Sequence, residues 1–263
     1  MVWLDQGPGE RPRYLPEPEG TAFLEQVARE RPVVPHGIGL SIGSAHRFDR
    51  EHVEQMARWH EWLRFPWHSD HLSFHLAEPA GEWNVNLTLP LPLDEETLEL
   101  VSSRVAEVRR RIGVPFLLEN NVYYFAPPAQ DYDEGAFFHE LARRSGCGLL
   151  LDLHNVYVNC RNSGGDPRRE IDRYPLDSVV ELHVAGGMEF GGFYLDAHSG
   201  PSPRAVFDLL DWVLPRCPRV AAVTFELFGT WYGVVGAERL RRQLGRMKEA
   251  WARHRPAPAR AAS

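Results

Sequence analysis

The chain has 263 residues, 43% hydrophobic and 25% charged, with a formal net charge of −7. That length suits one large domain and a sizeable core, and barrels of alternating strands and helices commonly run near it. The acidic balance argues against a general nucleic-acid binder, which would show a basic face. No stretch approaches the roughly 18 apolar residues of a membrane span. Met1–Gly20 lacks the basic start and apolar run of a signal peptide. Cys147, Cys160 and Cys217 are odd in number and show no C-x-x-C spacing. A reduced, cytoplasmic compartment is therefore expected.

In chain order, Met1–Leu4 is the one strand-like run before a Pro/Gly-rich stretch, so the first strand reads as shortened or atypical. Strands are then predicted at Val33–Ile42, His68–Phe74, Pro115–Asn120, Gly148–Leu153, Val179–Val184 and Ala221–Leu227. Each is short, apolar and bounded by turn residues. Between them, helices are predicted at Asp49–Leu63, Asp94–Arg111, Asp133–Ser145, Ser202–Leu214 and Ala237–Arg253. Asp49 and Asp133 read as N-caps and Gly113 as a helix stop. Near-continuous apolar strands alternating with helices imply parallel pairing. The expected fold is α/β, a (β/α)8 TIM-type barrel. It should form a single domain over residues 1–254, with 255–263 a disordered tail.

Four apolar strands end in polar residues. Phe116-Leu117-Leu118 runs into Glu119, Leu149-Leu150-Leu151 into Asp152 with His154 and Asn155 beyond. Val179–Leu182 leads to His183, and Val223–Phe225 ends in Glu226. In a barrel, ligands and catalytic groups collect at the C-terminal strand ends, and a charge buried there is costly unless paired or metal-bound. His36, His71 and the D-x-H pair Asp196/His198 fit the same rim. The set exceeds the three or four ligands of a single zinc site, which suggests several metals. Imidazole with carboxylate suits iron, manganese or zinc; iron would bring oxygen chemistry and zinc hydrolysis.

Taken singly, a strand-end histidine is more often a packed or surface residue than a ligand. His46, His52, His60 and His139 read as surface, and His68 and His75 as flanking residues. Glu181 reads as structural, Cys147 as packing, and Trp59, Trp62, Trp67, Trp83 and Trp231 as core or pocket wall. Asn162 reads as a lining of the substrate path or a loop turn. Gly37-Ile38-Gly39 is too short for a phosphate loop.

Seven segments together resemble one family: HGIGLSIGS (His36–Ser44), SDHLSF (Ser69–Phe74), LPLPLDEETLELV (Leu89–Val101), LLENNVYYF (Leu117–Phe125), GCGLLLDLHNVYVNCRN (Gly146–Asn162), ELHVAGG (Glu181–Gly187) and DAHSGP (Asp196–Pro201). The chain is similar to the multinuclear non-heme iron-dependent oxidative enzymes, which include the methanobactin-biosynthesis oxidase. The resemblance implies a metal set of His36, His71, Glu119, Asp152, Asn155, His183, Asp196, His198 and Glu226. It makes Glu119 a bridge and assigns catalysis to Glu119, His183, Asp196 and His198. It implies two or three iron ions, O2 as co-substrate, and oxidation of a residue, cysteine foremost, in a ribosomally made precursor peptide. A separate small partner that recognises the peptide is also implied. His154 and Asp70 are expected to orient ligands from behind. Three features depart from the family pattern: the short region upstream of Tyr14, His154 where many members have Asn, and Ser199 in place of a glycine. The competing readings are a divalent-metal sugar isomerase or phosphoesterase on a similar barrel, and a non-catalytic metal-binding protein.

Overall fold

The computed structural model describes residues 3–5, 14–77, 83–124 and 130–255. Strands β1 (Trp3–Asp5) and β2 (Tyr14–Pro16) pair antiparallel and lead into α1 (Pro18–Glu30). Next come β3 (His36–Gly37), α2 (Arg50–Leu63) and β4 (His68–His71). β5 (Ser73–Ala77) pairs antiparallel with β6 (Trp83–Pro90). α3 (Glu95–Ile112), β7 (Phe116–Glu119), α4 (Glu134–Ser145), β8 (Gly148–Asp152), α5 (Leu153–Ser163) and α6 (Pro167–Ile171) follow, then β9 (Val179–Ala185). A hairpin of β10 (Met188–Phe190) and β11 (Phe193–Leu195) precedes α7 (Arg204–Val213), β12 (Ala222–Glu226) and α8 (Tyr232–His254).

The central sheet is all parallel, in the order β12-β9-β8-β7-β4-β3. Four strand steps separate β9 from β3, about 19 Å if the sheet were flat. Yet the rings of His36 on β3 and His183 on β9 have centroids 5.2 Å apart. The sheet therefore curls around its own C-terminal end, as a TIM-type barrel requires. Among the described residues six strands build it. The described part of the expected first strand, Trp3–Asp5, pairs with Tyr14–Pro16 instead of joining the sheet.

Strand alternation divides the side chains between two faces. Phe116, Leu118, Leu149, Leu151, Leu182 and Val184 join the core shared with the helices. The residues between them, Leu117, Glu119, Leu150, Asp152, Glu181 and His183, take the opposite, inner face. Helices α2, α3 and α4 begin and end within a residue of the expected bounds. Asp49, Asp94 and Asp133 accept the N–H of His52, Thr97 and Ala136, and left-handed Gly113 and Gly146 close α3 and α4.

Several expectations are corrected. The strand at Val33–Ile42 shrinks to His36–Gly37, because the chain bends off after Gly37 and leaves Ile38 exposed. The run His68–Phe74 breaks at Leu72; its second part leaves the barrel for the β5–β6 pair. Helix α8 starts at Tyr232 rather than Ala237, with a break at Gly236 (φ 76, ψ 154). His52 is buried on the inner face of α2 against the Tyr14 ring, and Trp62 is exposed. The side chain of Trp83 and the tail beyond Arg255 lie outside the described residues.

Candidate metal centre

The short β3 is held by its neighbour. A Cβ at Gly37 would lie 2.6 Å from Asp70 Oδ2, so only glycine permits this approach. The Asp70 carboxylate accepts the main-chain N–H of His71 (2.9 Å) and of Leu40 (3.3 Å). It thus fixes the backbone on both sides of His36 and His71 and spends its oxygens doing so. His36 places Nδ1 2.9 Å from Ser69 Oγ, which turns Nε2 toward Glu119. Glu119 Oε2 lies 3.1 Å from His36 Nε2 and 3.2 Å from His71 Nδ1, while Oε1 lies 3.7 Å from His183 Nδ1.

β8 ends where α5 begins, and Asp152 does both jobs. Its Oδ1 caps the helix by accepting Asn155 N–H at 2.8 Å, and its Oδ2 is buried without a hydrogen-bond partner. Asn120 pins the turn, accepting Asp152 N–H at 2.8 Å and donating to Asp152 O at 3.1 Å. Asn155 donates Nδ2–H to Asn120 O at 3.0 Å, which leaves its Oδ1 buried and unpartnered.

The last ligand candidates ride on a loop folded back over the rim. The would-be Cβ of Gly186 meets Gly200 O at 2.3 Å, and that of Gly187 meets Leu195 O at 2.0 Å. The Gly-Gly pair ending β9 is what lets residues 195–201 lie so close. There Asp196 Oδ1 is 2.8 Å from His154 Nδ1 and 3.0 Å from His198 Nε2. Ser199, the departure noted above, donates its N–H to Gly186 O at 2.9 Å, a contact its side chain does not obstruct. His198 has φ 43, a left-handed backbone that few side chains adopt and that histidine visits more readily than most. Glu226 closes the ring, with Oε1 3.3 Å from His183 Nδ1 and Oε2 3.5 Å from His198 Nε2.

Electrostatics follow from this crowding. Burial pushes the Glu119 carboxyl up, but His71 and His36 more than offset it, so it sits below the usual range. Asp152 is held well above its ordinary value by burial and then by the nearby Glu119, Asp196 and Glu226. Burial opposes ionisation of Glu226, yet the adjoining His183 imidazole, with His36 and His198 beyond it, brings it down to about 2. His198, disfavoured by burial but bonded to Asp196, is raised to about 9. Four carboxyl groups thus share one small volume with His36, His183 and His198, whose pKa values the carboxylates raise against the effect of burial.

A metal fits this arrangement. The atoms left without hydrogen-bond partners include Glu119 Oε2, Asp152 Oδ2, Asn155 Oδ1 and His183 Nδ1, all buried. Such orphans in a native interior call for an explanation. Two overlapping groups, His36–Glu119–His183 and Glu119–Asp152–His183–Glu226, each offer donor atoms within 4.8 Å of one another. Donors about 2.0–2.2 Å from an ion of zinc's size stand up to about 4 Å apart, so modest contraction would close either group. Glu119 and His183 belong to both groups. Asp196 and His198 adjoin through Glu226, and His71 through Glu119. All nine expected residues are therefore near one rim, Asn155 through its N–H to Asp152 Oδ1 and its side-chain amide to Asn120 O.

Glu181, which reads as structural in the sequence, stands directly behind His183. Glu181 Oε1 lies 3.2 Å from His183 Nε2 and accepts Thr224 O–H at 2.7 Å, while Oε2 accepts Trp67 Nε1–H at 2.8 Å. This carboxylate fixes which nitrogen of His183 faces the acids, an arrangement typical behind metal-bound histidines. The signal was present: Glu181 sits two residues before His183, on the same strand face. His154 plays a comparable part toward Asp196. Asn162 lies in the last turn of α5, where it accepts Tyr194 N–H and donates to Tyr194 O, both at 2.9 Å. The Tyr124 hydroxyl oxygen accepts Asp196 N–H at 2.9 Å. These contacts tie β11 and the Asp196 loop to the barrel.

Relatives extend this picture. A sequence model of the RiPP precursor modification enzymes MbnB/TglH/ChrH matches residues 13–227. A UPF0276 protein of Anaeromyxobacter sp. (strain Fw109-5) is 36% identical over 202 residues, 77% of this chain and 70% of that protein. A UPF0276 protein of Chromobacterium violaceum is 36% identical over 207 residues, 78% and 74% of the two chains. Among solved structures, a D-tagatose 3-epimerase-like protein aligns with a TM-score of 0.52 at 16% identity, covering 91% of this chain and 87% of that one. At that identity the likeness speaks for the barrel alone. The motifs, the rim they build and the matching relatives lead to one assignment: the chain belongs to the MbnB/TglH/ChrH family of RiPP precursor modification enzymes.

Proposed function

We propose that this chain oxidises a residue, cysteine foremost, in a ribosomally made precursor peptide, using two or three iron ions and O2. The observation that carries the reading is the convergence of three imidazoles, His36, His71 and His183, from three strands on the buried Glu119, beside the unpartnered Asp152 Oδ2 and His183 Nδ1. His36, His71, Glu119, Asp152, Asn155, His183, Asp196, His198 and Glu226 would hold the ions. The donors are nitrogen and oxygen, which suits iron. Bound iron would supply one-electron chemistry with O2 that side chains cannot perform.

The chain's own part is positioning. Glu119 faces three imidazoles and would bridge two ions. Glu181 holds His183 by Nε2, and His154 holds Asp196 by Nδ1. Asp70 fixes the main chain carrying His71 and Leu40. We further propose that residues 1–254 act as one catalytic unit in the cytoplasm, with a separate small protein presenting the peptide. No helix among the described residues is long and apolar enough to cross a membrane.

The test is reconstitution of the full chain under argon with Fe(II), followed by metal counting and Mössbauer spectroscopy. A cysteine-containing precursor and O2 are then added and the product is analysed by mass spectrometry. Two or three irons per chain and a mass change that needs O2 support the reading. Full turnover with zinc or magnesium under argon on a sugar or phosphate ester would replace it with the isomerase or phosphoesterase reading, to which the epimerase-like fold lends a precedent.

A further inference from the structure

Beside the rim lies a cavity of about 540 Å³, within the range of small-ligand sites. Its walls include Tyr123, Tyr124, Tyr174 and Phe193, and one side is the flank of α5. Tyr124 is shared: its ring lines the cavity, and its hydroxyl oxygen accepts the N–H of Asp196. The cavity and the metal rim are thus one side chain apart.

The polar chemistry of this cavity is one-sided. Asp133, Glu134 and Glu170 line it, and among the described residues no lysine or arginine does. Arg173 reaches Glu170 at 3.3 Å and Asp133 at 3.9 Å. Among the described residues no cation pairs with Glu134. That carboxylate takes the hydroxyl hydrogens of Tyr123 (2.7 Å) and Tyr174, and the Asn121 N–H at 3.3 Å. Donating inward leaves the tyrosine oxygens only lone pairs to offer. The Asn159 amide is occupied by Tyr123 N–H and Asn121 O, and the Asn162 amide by Tyr194. The cavity therefore presents acceptors and aromatic faces. Both favour a cation that carries several N–H groups. Gln130 Nε2, buried and unpartnered, remains to meet a peptide carbonyl.

We propose that this cavity is a subsite for a basic side chain, arginine or lysine, of the substrate peptide, seated on Glu134 between the tyrosine rings. The inference rests on the peptide-modifying reading and adds a sequence requirement to it. With extended chain covering about 3.3–3.6 Å per residue, the basic residue lies within roughly two to four positions of the reacting one.

The probes are N-acetyl-arginine amide and N-acetyl-lysine amide, with the citrulline and norleucine amides as uncharged counterparts. Binding to the full metal-loaded chain is read by calorimetry and ligand-observed NMR. Arginine or lysine amide should bind with a Kd of about 1 mM, as suits so small a ligand, and the uncharged amides at least about tenfold more weakly. The arginine-to-lysine ratio decides which residue the substrate carries. Glu134→Gln should weaken the cationic probe about tenfold and leave citrulline unchanged, with native circular dichroism and metal content. Asp133→Asn keeps the helix cap and should cost two- to threefold, which serves where Glu134→Gln fails to fold. Equal binding of citrulline and arginine amides, or an unchanged arginine Kd in a folded Glu134→Gln, overturns the proposal. Metal content is measured separately, so loss of the subsite is distinguishable from failure of the iron-centred reading.

Discussion

Glu119 and His183 face each other across the barrel mouth, Oε1 to Nδ1 at 3.7 Å, and they alone belong to both candidate metal groups. Removing either should therefore disturb more than one ion. Glu119→Gln keeps the volume but lowers donor strength and charge. The expected outcome is loss of at least one metal equivalent and a fall in peptide oxidation of at least about 100-fold, since even residues behind the ligands are worth 10–100-fold. Metal analysis beside product assay checks this; full stoichiometry in the variant would count against a bridging role.

Glu181 acts on His183 from behind. In Glu181→Gln the one remaining oxygen accepts from Trp67 Nε1–H, the amide nitrogen donates to Thr224 Oγ1, and neither an acceptor nor a charge is left for His183 Nε2. Iron affinity, read by competition with a chelator, should fall about 10- to 100-fold while thermal stability changes little. An unchanged affinity would return Glu181 to a purely structural part.

Gly186 is a steric requirement. In Gly186→Ala the new methyl would stand 2.3 Å from Gly200 O, so the loop bearing Asp196 and His198 must lift. Such overpacking costs about 1–3 kcal/mol. The variant should remain folded and bind about one ion fewer than wild type, because Glu119, Asp152 and His183 stay in place. Metal counting and circular dichroism together check it.

His68 gives the pH dependence of stability. It is buried, stacked on Phe116 at a 4.6 Å centroid distance, and both its ring nitrogens lack hydrogen-bond partners. Burial, with help from His52 and His60, holds its pKa down at about 3. The unfolded chain protonates this group near 6.5, so between those values the unfolded state binds more protons. Stability is therefore lost as pH falls from about 6.5 toward 3, by about 2 kcal/mol at pH 5. His68→Phe removes that slope. Denaturation of metal-free wild type and variant at pH 7 and pH 5 should show the variant losing about 2 kcal/mol less.

What could be read from the sequence depended on burial. β7, β8 and β9 are legible because apolar runs buried on both faces cannot be mistaken for surface, and β12, only half-buried, from its run Val223-Thr224-Phe225; Glu119, Asp152, His183 and Glu226 stand out at or near their ends. β3 was overdrawn because Ile38, Leu40 and Ile42 look like a continuing strand, while in fact Ile38 is exposed and Leu40 and Ile42 pack after a turn. α5 was read as trailing residues because Asp152 ends a strand and caps a helix with no loop between them. The β10–β11 hairpin has only three residues in each strand, too few for periodicity to register. At the site, residue types were readable and roles were not. That Glu181 is also held by Trp67 and Thr224 is decided by neighbours far away in the chain.

The double duty of Asp152 has a mechanical corollary. Helix α5 spans 11 residues, about 16 Å. Its leading end is fastened by an oxygen of the same carboxylate that looks into the rim, and its trailing end grips β11 through Asn162. The side between these ends walls the neighbouring cavity. A guest that nudged this rod would be felt at both fastenings, and under the proposals above recognition of a peptide flank and tuning of an ion cage would be moved by one lever.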